Sequence, residues 1–270
     1  MMMYNGIQQI YQIKKLDTIM VIEFITKVAL NKIVFFLQSL KNVYTKNIKR
    51  IKKFIKAVVW MARTGAQWRT LPSEYGDWNS VFRRFNEWSK KDIWGLLHQY
   101  CITDPDLESV MIDSTVVRAH ACAAGYEKGQ QETQALGRSS GGFSTKVHTI
   151  TDALGNPLKF LFSAGQKSDV EYASELIEGM NGSNILGDKG YDSDAFREMI
   201  NQQNCTPIIP GRSNRIKPIE YDKHTYKERH LVECFIGKIK HFRRVFSRYD
   251  KSLRNYASFV CFVGALIWLR

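Results

Sequence analysis

The chain is poor in paired cysteine and in histidine. It holds five cysteines and six histidines in 270 residues. Cys101, Cys122, Cys205, Cys234 and Cys261 form no CxxC pair, which fits a reducing cytosol better than a disulfide framework. The scattered histidines argue against a structural zinc site. No membrane span is evident either. Across residues 20–40, Glu23, Lys27 and Asn31 recur every four positions, the polar stripe of an amphipathic helix. The apolar run 257–269 is too short to span and is expected to pack as a closing helix. The start of the chain has no basic n-region and no small-residue cleavage site, so no secretory signal is read there. Residues 1–52 contain no tryptophan, no proline and one glycine, and look helical. Residues 41–56 contain seven Lys or Arg and no acid.

What is present is positive charge. A net charge of +13 and a pI near 9.5 point to a polyanionic partner, most simply nucleic acid. The excess sits in two patches, 41–56 and 226–254, the second with nine cations against three acids. With 44% hydrophobic residues, the chain can bury a sizeable core, enough for one large domain and a smaller one.

Apolar periodicity predicts helices about Phe54–Met61, Asn79–Trp88 and Ile93–Tyr100, with a turn at Thr64-Gly65. Five of the six tryptophans fall in this unit, and at helical spacing they read as core. Arg63, Arg69, Arg83 and Arg84 are the better candidates for phosphate contacts. From Asp104 the pattern turns to strands. Ser109–Ile112 is a short apolar run ending in Asp113. Phe143–Thr151 and Leu158–Ser163 alternate around Ala153-Leu154-Gly155-Asn156, a hairpin signal. Helix Val170–Met180, strand Asn184–Leu186 ending at Gly187-Asp188, helix Asp194–Gln203 and strand Thr206–Ile209 follow. Residues 122–142 read as a long polar, Gly-rich loop beside Asp113.

Tyr226–Arg248 reads as one long helix. Val232, Phe235, Ile239, Phe242 and Phe246 would form its core stripe. Tyr226, Arg229, Glu233, Lys240 and Arg244 would form a second stripe, a single carboxylate in a row of cations. The plainer account of that stripe is a solvated face with an Arg229–Glu233 ion pair. Upstream, Asp113 and Asp188 stand at strand ends, facing the same sheet edge as Glu233. Three carboxylates from three separate elements suit a two-metal phosphoryl-transfer site, because Mg²⁺ takes hard oxygen ligands. Asp113 and Asp188 could instead simply cap their loops.

The spacing Tyr226, Arg229, Glu233, Lys240 matches the Y-(2)-R-(3)-E-(6)-K motif, and the chain resembles bacterial insertion-sequence DDE transposases. Residues 63–91, MIDSTVVRAH (111–120), ALGRSSGGFSTKVH (135–148), DALGNPLKF (152–160), GDKGYDS (187–193) and RYDK (248–251) resemble the insertion-sequence-five-like branch. The similarity covers about residues 53–270; residues 1–52 lack the branch's usual N-terminal features. The resemblance implies an α/β fold: an RNase H-like mixed-sheet catalytic domain preceded by an α-helical DNA-binding region. The expected organisation is a divergent basic segment at 1–52, a helical DNA-binding region at 53–104, the catalytic domain at 105–254 and a C-terminal helix at 255–270. It implies that Asp113, Asp188 and Glu233 are catalytic and hold two Mg²⁺ ions, with Mn²⁺ as a substitute. Tyr226, Arg229 and Lys240 would grip the DNA end, with Arg244, Arg83 and Arg84 as further DNA contacts. The implied partners are double-stranded DNA, both terminal inverted repeats and target, and a second copy of the chain, a homodimer or higher oligomer on DNA. No membrane is involved, and the expected compartment is the bacterial cytoplasm, at the nucleoid. His120 could support Asp113 or simply pack.

The implied activity is cleavage of element ends and transfer of the 3′-OH strand to target DNA. Two alternatives remain open at this point. One is a catalytically idle or decayed copy that only binds DNA. The other is an RNase H-like nuclease that hydrolyses without joining.

Overall fold

Three helix starts follow their capping side chains. Thr26 accepts from Ala29 N at 3.1 Å and opens α1 (Lys27–Ser39); Asn47 accepts from Arg50 N at 3.1 Å and opens α2 (Ile48–Thr64). Asp77 accepts from Ser80 N at 2.8 Å and opens α3 (Trp78–Lys90). Helix α2 stops at Gly65, whose φ of +64° lets its N–H reach back to Met61 O. α4 (Ile93–Cys101) follows α3. The structure, a computed structural model, describes residues 25–41, 43, 47–124, 133–139 and 141–270. The position of Glu23 lies outside them, as do parts of the basic segment 41–56 and of the loop 122–142.

The expected boundary at 52/53 falls inside α2. The reason is packing: Ile51, Phe54, Ile55 and Val58 share one buried face with Ile33 and Leu37 of α1. The same apolar cluster takes in Phe85 and Trp88 of α3, Trp94 and Leu97 of α4, and Phe259 and Phe262 of the C-terminal helix. Trp94 is fully buried, and Phe85 stacks on Phe259 with ring centroids 4.3 Å apart. Each such side chain contributes about 1.5–3 kcal/mol by leaving water. The tryptophans are thus core or packed against it, as their spacing implied.

Among the described residues the sheet has seven strands. β1 (Ser109–Ala119), β3 (Gly142–Thr151) and β4 (Pro157–Ala164) form an antiparallel meander, and β2 (Gly137–Ser139) pairs with the start of β3. β5 (Asn184–Leu186) pairs parallel to β1, and β6 (Thr206–Ile208) parallel to β5. The hairpin at 153–156 is present; Asp152 Oδ1 accepts from Leu154 N and Asn156 N, and Gly155 takes φ +76°. The residues 122–142 are not all loop, since β2 lies among them.

Alternation along β1 sorts its side chains by face. Val110 and Ile112 join a cluster with Ala173 and Leu176 of α5 (Val170–Leu176) and Phe196 and Ile200 of α6 (Asp194–Gln202). Met111 joins Leu186, Ile208 and Val232 on the other face. β1 is longer than the sequence suggested. It runs past Asp113 to Ala119 because β3 pairs with it residue by residue from Met111 to Arg118. Asp113 therefore sits mid-strand rather than at a strand end.

The stretch 226–248 is not one helix. A 3₁₀ turn at Thr225–Arg229 leads into α7 (His230–Lys240), then α8 (Arg243–Phe246) and the short strand β7 (Ser247–Arg248), which pairs with the end of β1. Val232, Phe235, Ile239 and Phe242 are buried as expected, but Phe246, beyond the break, is 55% exposed. α9 (Leu253–Trp268) closes the fold against α3, α4 and β4. A mixed sheet of this order with helices on both faces is an RNase H-like α/β fold.

Candidate active site

Strand β1, the end of β5 and α7 bring Asp188 and Glu233 within electrostatic reach of Asp113. Asp113 is mostly buried, its side chain 16% exposed. Burial pushes its carboxyl up to about 6, and the charges of Asp188 and Glu233 push the same way. The Ser114 N–H, which donates to Asp113 Oδ1 at 2.7 Å, and the Arg229 guanidinium oppose that rise.

Arg229 is the centre of the arrangement. Its Nη2 donates to Asp113 Oδ2 at 3.2 Å and its Nη1 to Glu233 Oε1 at 2.5 Å. The ion pair with Glu233, four residues on, was legible in the sequence; the second pair, to Asp113 on β1, was not. One cation is therefore gripped by two carboxylates from different elements. Among the described residues, no three His, Cys, Asp or Glu side chains stand so as to hold a metal ion together. The cation in this conformation is the guanidinium itself, and it marks where carboxylate oxygens converge on positive charge. All the donors offered there are hard oxygens, the set that Mg²⁺ or Mn²⁺ takes.

The segment that carries Asp188 is fixed from two sides. Asp188 Oδ1 accepts from Gly190 N at 2.7 Å, opening a 3₁₀ turn at Lys189–Tyr191. Four residues on, the buried carboxylate of Asp192 accepts from Arg197 Nε, Arg215 Nε and Arg212 N at 2.6–2.9 Å. Arg212 also donates to the carbonyls of Lys189 and Gly190. Sequence inspection missed this clamp, since Arg212 and Arg215 lie some twenty residues from the segment they hold.

The other expected DNA contacts divide. Tyr226 is half-buried with its ring edge-on to Tyr221; burial raises its pKa, the Arg229 guanidinium opposes that rise, and the charges of Asp188 and Glu233 push the same way as burial. Lys240 is exposed at the C-terminal end of α7, about 10 Å along the axis from Glu233 at 1.5 Å per residue. Arg83 and Arg84 are exposed on α3, and Arg84 lies over the Phe54 ring at 5.2 Å. Burial lowers the Arg84 pKa, and the charge of Arg50 at the start of α2 adds to that lowering.

Arg244 does not belong to that face. It is 3% exposed, forks onto Asp250 at 2.9 and 3.0 Å, donates to Ala66 O at 2.8 Å and stacks on Trp68 and Phe259. The break after Lys240 turns it from the Glu233 stripe into the core. His120 caps a 3₁₀ turn at Ala121–Ala123 and packs against the Tyr249 ring, so of its two possible roles packing is the one in place.

Two family models match the chain. One, described as "Putative transposase of IS4/5 family", matches residues 33–98; the other, "Transposase DDE domain", matches residues 104–268. The first match begins at 33 and so takes in most of α1, which the resemblance read from residue 53 had left out. A curated relative from Brucella ovis, "Putative transposase for insertion sequence element IS6501", is 36% identical over 129 residues, 47% of this chain and 99% of that protein. The corresponding protein of element IS402 from Burkholderia cepacia is 27% identical over 128 residues, 43% of this chain and 58% of that one. Among solved structures, the piggyBac transposase synaptic complex with hairpin DNA has the same fold. It aligns at a TM-score of 0.52 with 13% identity, over 92% of this chain and 72% of that one. The chain belongs to the DDE transposase family of bacterial insertion sequences.

Proposed function

We propose that this protein cuts the ends of its own insertion element and joins the freed 3′-OH strand to target DNA. The observation that carries the reading is the Arg229 guanidinium, clasped by Asp113 and Glu233 with Asp188 in electrostatic reach. Asp113, Asp188 and Glu233 would hold two divalent ions, Mg²⁺ or Mn²⁺. When bound, such ions stabilise the attacking and leaving oxygens of an in-line displacement at phosphorus. Arg229 would give up the carboxylates and fork onto a backbone phosphate, a geometry its planar donors match. Lys240 adds a point charge two turns along α7, and Tyr226 can stack or hydrogen-bond to the strand end. The exposed arginines of α3 and the cations at the start of α2 suit sequence-independent phosphate contacts. Two copies of the chain would hold the two element ends.

The task of Arg229 and Lys240 in this account is positioning, which makes joining effectively intramolecular and contributes several kcal/mol to lowering its barrier. Hydrolysis uses abundant water and depends less on where the DNA end sits. Lys240→Ala should therefore impair joining of a pre-cut 3′-OH end more than it impairs nonspecific nicking, and Arg229→Ala more severely still. The measurement is strand transfer of a supplied pre-cut end beside nicking by the same preparation. A wild-type protein that nicks freely yet never joins such an end, with the correct terminal repeat present, is a nuclease and not a transposase.

A further inference from the structure

The way Arg229 is held sets it apart from the arginines of the core. Arg244 and Arg248, 3% and 0% exposed, each donate from all three guanidinium nitrogens. Arg229 donates from Nη1 to Glu233 and from Nη2 to Asp113, while its buried Nε has no hydrogen-bond partner. Native folds seldom leave a buried donor unmet, so this grip is not the arrangement that satisfies the side chain best. Its two partners are also unequal. The Asp113 side chain is 16% exposed and that of Glu233 57%, so one jaw of the grip lies in solvent. Both oxygens of Asp113 are engaged, Oδ1 by the Ser114 N–H and Oδ2 by Arg229. Asp188 is outside the grip, and its Oδ1 accepts from Gly190 N.

A divalent ion that takes Asp113 and Glu233 must displace the guanidinium, since two cations repel each other over the same oxygens. A phosphate offers Arg229 a well-matched acceptor, because the planar fork of donors meets two of its oxygens at once. We propose that Arg229 is a built-in block on metal loading: its guanidinium fills Asp113 and Glu233 in the DNA-free protein, and a DNA phosphate that draws it off opens both carboxylates to the ion. This rests on the assignment of those carboxylates made under Proposed function. The two binding events are then linked. DNA raises the affinity for the ion, and the ion raises the affinity for DNA by the same factor. The protein without DNA holds its ions weakly, so cleavage chemistry waits for the strand.

The test measures Mn²⁺ affinity from loss of the free-ion paramagnetic resonance signal. It is run at about pH 8, above the value of about 6 to which burial pushes Asp113. The full-length protein is measured alone and with a saturating duplex carrying the pre-cut element end, on which no cleavage remains to be done. Arg229→Met keeps an apolar stem in place and removes the charged fork. Without DNA it should bind Mn²⁺ about five- to 150-fold more tightly than wild type, the span of ordinary coupling between sites. The gain from adding the duplex should be smaller in the variant than in wild type. A DNA-free affinity within about fivefold of wild type, or below it, overturns the proposal. So does an equal gain from the duplex in the two proteins, which would leave Arg229 repelling the ion without being drawn off by phosphate. Arg229→Gln, uncharged but still a hydrogen-bond donor, is read against the same limits if Arg229→Met does not fold. Asp113→Asn, measured alongside, separates the two levels of failure. If Asp113→Asn binds Mn²⁺ as wild type does, or if neither wild type nor Arg229→Met binds it even with DNA, the carboxylate assignment falls and takes this inference with it. If Asp113→Asn loses Mn²⁺ and Arg229→Met gains nothing, only the inference falls.

Discussion

Replacing Asp250 with alanine should destabilise the protein by about 3–5 kcal/mol, the range for removing one partner of a buried ion pair. Asp250 is 8% exposed and Arg244 3%, and the two meet through parallel bonds of 2.9 and 3.0 Å. Without the carboxylate, the guanidinium keeps the Ala66 carbonyl and its stacking on Trp68 and Phe259, which leaves two of its hydrogen bonds unmet in a buried site. Exposed ion pairs contribute only about 0–1 kcal/mol, so burial decides the magnitude. Arg244→Ala should cost a similar amount, because it strands Asp250 and removes packing from both rings. The double change to apolar residues of similar volume should recover part of the loss. Urea unfolding followed by tryptophan fluorescence measures all three, with Trp68 a direct reporter. A loss below about 1 kcal/mol for Arg244→Ala, well under the range for a broken buried pair, would refute this reasoning, and a large fall in DNA affinity alongside it would return Arg244 to the DNA face.

Burial pushes the Asp192 carboxyl up, but hydrogen bonds from Arg215, Arg212 N and Arg197 together outweigh it and hold it down at about 2. Because the folded value lies below that of the unfolded chain, its contribution is complete above about pH 4 and is lost as pH falls towards about 2. Asp192→Asn should therefore lower stability at neutral pH by roughly 2 kcal/mol and flatten the acid limb of a stability-against-pH curve; an unchanged acid limb would contradict this. Arg83→Ala and Arg84→Ala should each reduce the salt dependence of DNA binding, with the log–log slope falling by about 0.9 for each phosphate no longer neutralised. An unchanged slope would leave those arginines as a solvated face. Lys49→Ala and Lys53→Ala, on the exposed side of α2, test the basic segment by the same titration without disturbing the buried face formed by Ile51 and Phe54.

Local chemistry carried much of the fold into the sequence. The hairpin at 153–156 was legible because Asp152 and Gly155 supply its side-chain acceptor and its positive φ. The N-terminal helices were legible from apolar period and from Gly65. What could not be read was decided at long range. The apolar spacing continues through Phe242 and Phe246, and no Gly or Pro announces a stop. The helix ends at Lys240 because Arg244 must meet Asp250 and Ala66, and β7 must meet β1. Asp113 looked like a strand end because Asp favours turns, yet eight residues of pairing with β3 carry the strand past it. At the site, sequence spacing supplied Arg229 and Glu233 as neighbours. The link from Arg229 to Asp113, 116 positions away, needed the fold.

The central claim is that Asp113, Asp188 and Glu233 form one metal-dependent phosphoryl-transfer site. It is tested most directly by Mg²⁺-dependent cleavage of element-end DNA with Asp113→Ala, Asp188→Ala and Glu233→Ala, each beside a DNA-binding measurement. Each substitution should abolish cleavage, with Mn²⁺ replacing Mg²⁺ in the wild type, while DNA binding persists in all three. Near-normal cleavage by any one of these variants would show that its residue is not a ligand and that the triad is misassigned.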